Sequence, residues 1–349
     1  MAEEAYTLDA HGEELLQRHV AWWDRKGMLY HEHDAAPLGD LWLPLSDGTV
    51  ADRDMDMTPE MLDVDRAVGP QQEPGPLRTH GDYFNTATPF GRMPWLEAIL
   101  GTPIRATIIG GSMRTKAFIA SWEEWEQQGE HHHHGWFDLY KRLMELIVAR
   151  ANGRAFLTHP TLRGPSDLAE AVVGPELMSY SLYEHQDELR RFLDEVTDTF
   201  IEVLQAQIER TPPLRGGYVN PFGIWAPGTG VRTQCDASAF LSAKHYAEWF
   251  LPYDARICAS VDYAMIHLHS VSLHTVPSLL EVDALRGIEI TIEDEASGPS
   301  LQAMIPVLRD ILSCKALLLH GPLTDDELKF LLDELPTDGL GIGRRLQPW

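Results

Sequence analysis

The chain has 349 residues, 44% of them hydrophobic, which is enough for one large α/β unit or two ordinary domains around a substantial core. Its 53 acidic against 28 basic side chains give a formal charge of -25; with no basic patch to offset that charge, a nucleic-acid partner is disfavoured, because its phosphates would be repelled. Cys235, Cys258 and Cys314 are widely spaced and form no CxxC, which argues against a disulfide framework or a four-thiolate zinc site and fits a reducing cytoplasm.

The N-terminus, "MAEEAYTLDAHGEELL", is acidic, and no run reaches the roughly 18 apolar residues needed to span a bilayer, so neither secretion nor membrane insertion is expected. "HGEELLQRHVAWWDRK" has helical spacing and is followed by "GMLYHEHD" and a Pro/Gly/Asp-rich passage to about Gly81. "IRATIIGG" reads as a strand. The tract "EHHHHGW", His131 to His134, is biased in composition and reads as an exposed loop.

From about residue 135 the chain alternates amphipathic helices with short apolar runs. "WFDLYKRLMELIVARA" predicts a helix, "RAFLTH" a strand, and "SDLAEAVV" a helix with Ser166 as its cap. "HQDELRRFLDEVTDTFIEVLQAQIER" predicts a long helix stopped by "TPP". Strand-like "GGYVN" and "VRTQCD" come next, then the helix "SAKHYAEWFLPYDARICAS", with Ser242 as a cap. Strands "YAMIHLH", "IEITI", "KALLLH" and "GLGIG" are separated by helices "VPSLLEV", "SLQAMIPVLRDILS" and "TDDELKFLLDEL". Strands separated by helices imply parallel pairing with crossover connections.

If such units close into a (β/α)8 barrel, catalytic groups gather where the strands end. The strand ends here are His159, Cys235 with Asp236, His267 with His269, and His320, and His31 and His33 in "LYHEHD" extend the set. Positions i and i+2 of a strand project to one side, so His267 and His269 can converge on one point. Such a pair supplies two of the three protein ligands of a catalytic zinc, or else hydrogen-bonds a substrate carboxylate. Cys235, Asp236 or His320 would complete a metal set, and Asp236 can also move a proton or orient a ligand. His274 lies beyond the strand and reads as a loop or helix-start residue. Trp225, in the rigid loop "PFGIWAPGTG", either presents an aromatic face to a ligand or packs beneath the loop. "GSMRT" lacks the spacing and lysine of a phosphate loop, and no serine elbow or kinase signature occurs.

The order "TLRGPSDLAEAVVGPELM", a long helix, "GGYVNPFGIWAPGTGVRTQCDASAFLSAKHYAEWFLPYDARI" and "IHLHS" resembles the uroporphyrinogen decarboxylase superfamily, which includes zinc-dependent corrinoid and thiol methyltransferases. The match covers about residues 135 to 345 well and the first third loosely. The resemblance implies a single (β/α)8 TIM barrel over residues 1–349, of which residues 1–78 form an irregular, partly helical N-terminal extension. The decarboxylases carry an Arg-Gln-Ala-Gly-Arg segment that holds substrate carboxylates; the corresponding "GMLYHEHDAAPLG" has no Arg, which counts against porphyrinogen decarboxylation. Asp236 in "CDASAFLSAKHY" maps onto the family's Asp-Ser motif, and His267-Leu268-His269 takes the place of the methyltransferases' His-x-Cys zinc motif. Their last ligand, a Cys near the final strand, is missing from "GLGIGRRLQPW", so His320 is the nearest substitute.

The resemblance therefore implies a metal-assisted methyltransferase. Zinc would be held by His267, His269 and His320, with Asp236 and His269 catalytic and His159, Trp225 and Cys235 in contact with a small-molecule substrate. A thiol and a corrinoid carried by a partner would be the co-reactants, and relatives are often homodimers. The alternatives are a metal-free decarboxylase or lyase of a carboxylated small molecule, and a non-catalytic corrinoid or tetrapyrrole binder.

Overall fold

The computed structural model describes residues 6–33, 39–68, 81–90, 93–109, 111–129, 134–151, 153, 155–293 and 297–346. His131 to His133 of the histidine tract lie outside the described residues. The chain is a mixed α/β structure whose main sheet holds six parallel strands. In chain order the parallel strands are β1 (Leu29–His33), β2 (Thr86–Ala87), β3 (Phe156–Leu157), β4 (Gly230–Gln234), β5 (Tyr263–His269), β6 (Leu285–Thr291), β7 (Ala316–Pro322) and β8 (Leu340–Arg345). The main sheet runs β1-β8-β7-β6-β5-β4, and β2 pairs with β3 in a separate two-stranded piece.

The expected closed eight-stranded barrel is not one continuous ladder. The β2–β3 pair is only two residues long in each strand and is tied to its neighbours by other bonds. The backbone N–H of Asp82 donates to the Tyr30 carbonyl at 3.0 Å, and that of Gly164 to the Gln234 carbonyl at 3.0 Å. Gly164 is required there, since a Cβ would stand against the Gln234 carbonyl. A side sheet of Met55–Met57, Ile104–Thr107 and Ser112–Thr115 is antiparallel, so "IRATIIGG" is a strand but not one of the parallel set.

The helices lie where apolar spacing and capping chemistry place them. His134–Ala151 and Gln186–Arg210 are helical, the second stopped at Thr211 before two prolines. Ser242 and Ser300 cap their helices, and Thr324 with Glu327 forms a reciprocal capping box. Ser166 is not a cap. Pro165 occupies the first helical position, which needs no N–H, so the cap falls on Gly164. The segment "SAKHYAEWFLPYDARICAS" is interrupted by a π-helical turn over Tyr246–Phe250 just before Pro252.

Sequence placed β1 in the N-terminal extension, yet it is an edge strand of the main sheet, paired with β8 in register from Leu29 with Gly341 to His33 with Arg345. The preceding helix, Ala10–Trp23, supplies a floor for what lies above. Its Trp22 and Trp23 pack with Leu29, Met265 and Leu318. Each of those three stands two positions before a histidine, His31, His267 or His320, and so on the same face. No helix among the described residues is long and apolar enough to cross a membrane.

Candidate metal centre and its pocket

β5 ends in His267 and His269, whose rings share a face with centroids 4.9 Å apart. Their Nε2 atoms lie 3.4 and 3.9 Å from the same oxygen, Asp236 Oδ1, at the end of β4. The three ligating atoms all fall within 4.8 Å of one another.

The far side of each imidazole is held by a carboxylate. His267 Nδ1 is hydrogen-bonded to Glu289 on β6, and His269 Nδ1 to Glu293 just beyond it. Each Nδ1 therefore donates its proton to a carboxylate, which leaves the Nε2 lone pair aimed at Asp236. Asp236 Oδ2 accepts from the Gln234 amide at 2.8 Å, whereas its buried Oδ1 accepts no hydrogen bond. Three electron-rich atoms thus converge with no donor among them, an arrangement that invites a cation. For tetrahedral coordination with bonds of about 2.0–2.1 Å, donors should lie roughly 3.4 Å apart; the His267–Asp236 pair stands at that distance and the His269–Asp236 pair at 3.9 Å.

Glu289 anchors the arrangement. It is 1% exposed and pairs with His267 in the strand register. Its Oε1 also meets His320 Nδ1 at 3.1 Å and accepts from the Thr291 hydroxyl at 3.2 Å. Burial alone would raise its pKa, but His267 and His320, by their charge whenever they are protonated and by their hydrogen bonds, outweigh burial and hold the carboxyl well below the usual range. Beside Asp236, Asp167 accepts from the Ala237 N–H at 2.8 Å and the Gln234 amide at 3.0 Å. Burial first and the Asp236 charge second push Asp167 up to about 7, against those hydrogen bonds and Arg163.

An open pocket of about 340 Å³ adjoins this cluster. His31, Tyr83, Phe222, Arg232, Glu289 and His320 are among the residues that line it.

Several residues singled out by sequence do other work. The neighbouring helix face takes Cys235, because it is one residue on from Gln234 and points the opposite way; it is buried near Tyr246, Ser238 and Asp254, and burial raises its thiol far above the usual value. Both ring nitrogens of His159 are spent on backbone. Nδ1 donates to the Pro160 carbonyl at 2.7 Å and Nε2 accepts from the Arg232 N–H at 2.9 Å. Trp225 is buried, and its indole donates to the Leu214 carbonyl at 3.0 Å, which is the packing alternative rather than a ligand face. His320 is drawn to Glu289 and does not join the group of His267, His269 and Asp236, whose third member is a carboxylate oxygen. The His274 ring lies beyond the strand, bonded to the Leu241 carbonyl at 2.9 Å.

Sequence reasoning missed Glu289, Glu293 and Arg232. The signal for Glu289 was present: a lone acid in the apolar strand "IEITI" is a residue that folded proteins bury only when it is paired. Arg232 precedes Gln234 by two in "VRTQ" and so shares its face.

No family model and no curated protein matches the chain. Among solved structures, a methyltransferase from Methanosarcina mazei is similar over 73% of each chain at 13% identity, with a TM-score of 0.49. A likeness that loose carries no argument about activity.

Proposed function

We propose that the chain is a metal-assisted methyltransferase acting with a thiol or corrinoid partner, and that a divalent cation, zinc in the first instance, is held by His267, His269 and Asp236. The carrying observation is the convergence of two imidazole Nε2 atoms on an unpartnered carboxylate oxygen, each imidazole backed by its own carboxylate. Methyl transfer rests on the resemblance in sequence, in which His267-Leu268-His269 stands at the methyltransferases' zinc motif. On the same reading residues 1–349 form one unit, and the six-stranded sheet and the β2–β3 pair are arcs of a single eight-stranded ring.

The donor set, two nitrogens and one oxygen, is harder than one containing a thiolate. A divalent cation held by His267, His269 and Asp236 would supply Lewis acidity that lowers the pKa of a nucleophile. The residues of the chain do the rest. Glu289 and Glu293 fix the tautomer and direction of the two imidazoles. Gln234 holds Asp236 through Oδ2 so that Oδ1 faces inward. Asp167, pushed up to about 7, is the neighbouring group that can exchange a proton near neutral pH. Trp22 and Trp23 close the floor against water.

The test is to incubate zinc-loaded protein with methylcobalamin and a small thiol and follow the visible spectrum. Loss of the methylcobalamin bands with formation of the methyl thioether, abolished in Asp236→Ala and His267→Ala, is the expected result. Stoichiometric zinc without any methyl transfer across a panel of thiols would overturn the methyltransferase reading.

A further inference from the structure

Arg232 is 8% exposed, lines the pocket, and has no carboxylate within ion-pair distance among the described residues. Among the described residues its side chain makes one hydrogen bond, from Nη1 to the Gln234 amide oxygen. The nearest acid on the pocket wall, Glu289, has both oxygens taken by His267, His320 and Thr291. A guanidinium has five N–H donors, of which the Gln234 contact takes one. The carboxylates of Glu289, Asp236 and Asp167 act on the Arg232 charge without meeting it in an ion pair. Apolar and aromatic walls complete the pocket. Phe222 lies with its ring 5.5 Å from the Arg232 guanidinium carbon and 4.6 Å from the His320 ring, and Tyr83 stacks on His31 at 4.5 Å.

We infer that this pocket takes a small organic monocarboxylate with a flat apolar body, its carboxylate bonded to Arg232 and its body between Phe222 and Tyr83, beside the His267, His269 and Asp236 group. This deepens the proposed function by naming a substrate class for the same site, and it rests on that reading only for the role of the neighbouring metal. A monocarboxylate can pair with Arg232 while adding the least charge beside Glu289, whereas a phosphate dianion would set a second charge against that buried carboxylate. Guanidinium and carboxylate match in two parallel hydrogen bonds, and the shallow apolar remainder supplies area.

The experiment is calorimetric titration of the full chain with benzoate and, separately, with its uncharged analogue benzamide, before and after stripping metal with a chelator. In stripped protein benzoate is expected to bind at least about tenfold more tightly than benzamide, with Arg232→Gln erasing that preference chiefly through loss of benzoate affinity. Should that variant not fold, Arg232→Lys, which keeps the charge but loses the fork, is expected to retain only part of the preference. Equal affinities for the two probes in the unsubstituted chain overturn the inference. So does benzoate binding that requires restored zinc and ignores Arg232→Gln, which would put the carboxylate on the metal. A chain that binds no zinc yet still prefers benzoate through Arg232 upholds this inference while removing the metal reading.

Discussion

His267 and Glu289 stand opposite one another in the β5–β6 register, and the imidazole Nδ1 is hydrogen-bonded to a carboxylate almost wholly removed from water. That pair fixes which nitrogen of His267 faces Asp236. Replacing the carboxylate with an amide of the same shape keeps the contact but removes its charge and lowers the basicity of the ring. Glu289→Gln is therefore expected to weaken zinc binding by about 10–100-fold, measured by competition with a chromophoric chelator, with the fold intact by circular dichroism. Unchanged affinity would mean that His267 does not hold the metal.

His320 owes its place to the residue across the β7–β8 pairing. Gly343 lies beside it in register, and a methyl group there would overlap the imidazole ring. Gly343→Ala is expected to turn His320 away from Glu289 and to destabilise the chain by about 1–3 kcal/mol through overpacking, read by denaturant titration. Zinc affinity should fall less than in Glu289→Gln, because His320 reaches the metal site only through Glu289.

Acid sensitivity should arise far from the pocket's open side. Burial, the leading cause, lowers His19 and His159 to about 4 from the usual 6.5, against the pull of the Asp82 and Pro160 carbonyls, and each ring accepts a backbone N–H as well. Folded, both rings stay neutral down to about pH 4; unfolded, they take up protons near 6.5. Their contribution is present above that upper value and is lost as pH falls toward the lower one, at up to about 1.4 kcal/mol per pH unit for each ring. Because Asp254 gives a slope of opposite sign over the same range, the test is a difference: urea melts of the natural chain and of His159→Gln should diverge across it, the natural chain losing more stability relative to the variant as pH falls.

An alkaline counterpart centres on Asp254. Burial raises it to about 8 from 3.8; the hydrogen bond from the Tyr246 hydroxyl at 2.7 Å opposes the rise and the nearby Asp167 adds to it. The folded chain keeps this proton where the unfolded chain has lost it, so stability falls as pH rises from the ordinary carboxylate range to about 8 and is flat above. Asp254→Asn removes that slope and still offers the tyrosine an acceptor. Thermal melts should show the variant gaining on the natural chain as pH rises through neutrality; parallel pH curves would contradict the account.

Much of the second half of the chain was legible in the sequence, because each strand there is an apolar run bounded by a helix with its own cap, such as Ser300 or Thr324. The first third was less so. Leu29–His33 looks like an isolated stretch until β8, at the other end of the chain, pairs with it. Within the site, the spacing of two between His267 and His269 correctly placed both rings on one face, next to Asp236. Applied to β4, the same rule of alternation separates Cys235 from Gln234 and would have removed the thiol from the site. His159 and Trp225 could not be judged from sequence, since their partners, Arg232 and Leu214, are backbone groups brought up only by the fold. Glu293 carries no local signal, because its partner His269 lies on another strand.

Zinc K-edge X-ray absorption on the zinc-loaded chain decides whether His267, His269 and Asp236 hold a divalent cation. One tightly held zinc with two imidazole shells and an oxygen donor at about 2.0–2.1 Å is expected, with loss of binding in Asp236→Ala. Zinc bound only in trace amount, or a sulfur neighbour in the first shell, would contradict that assignment.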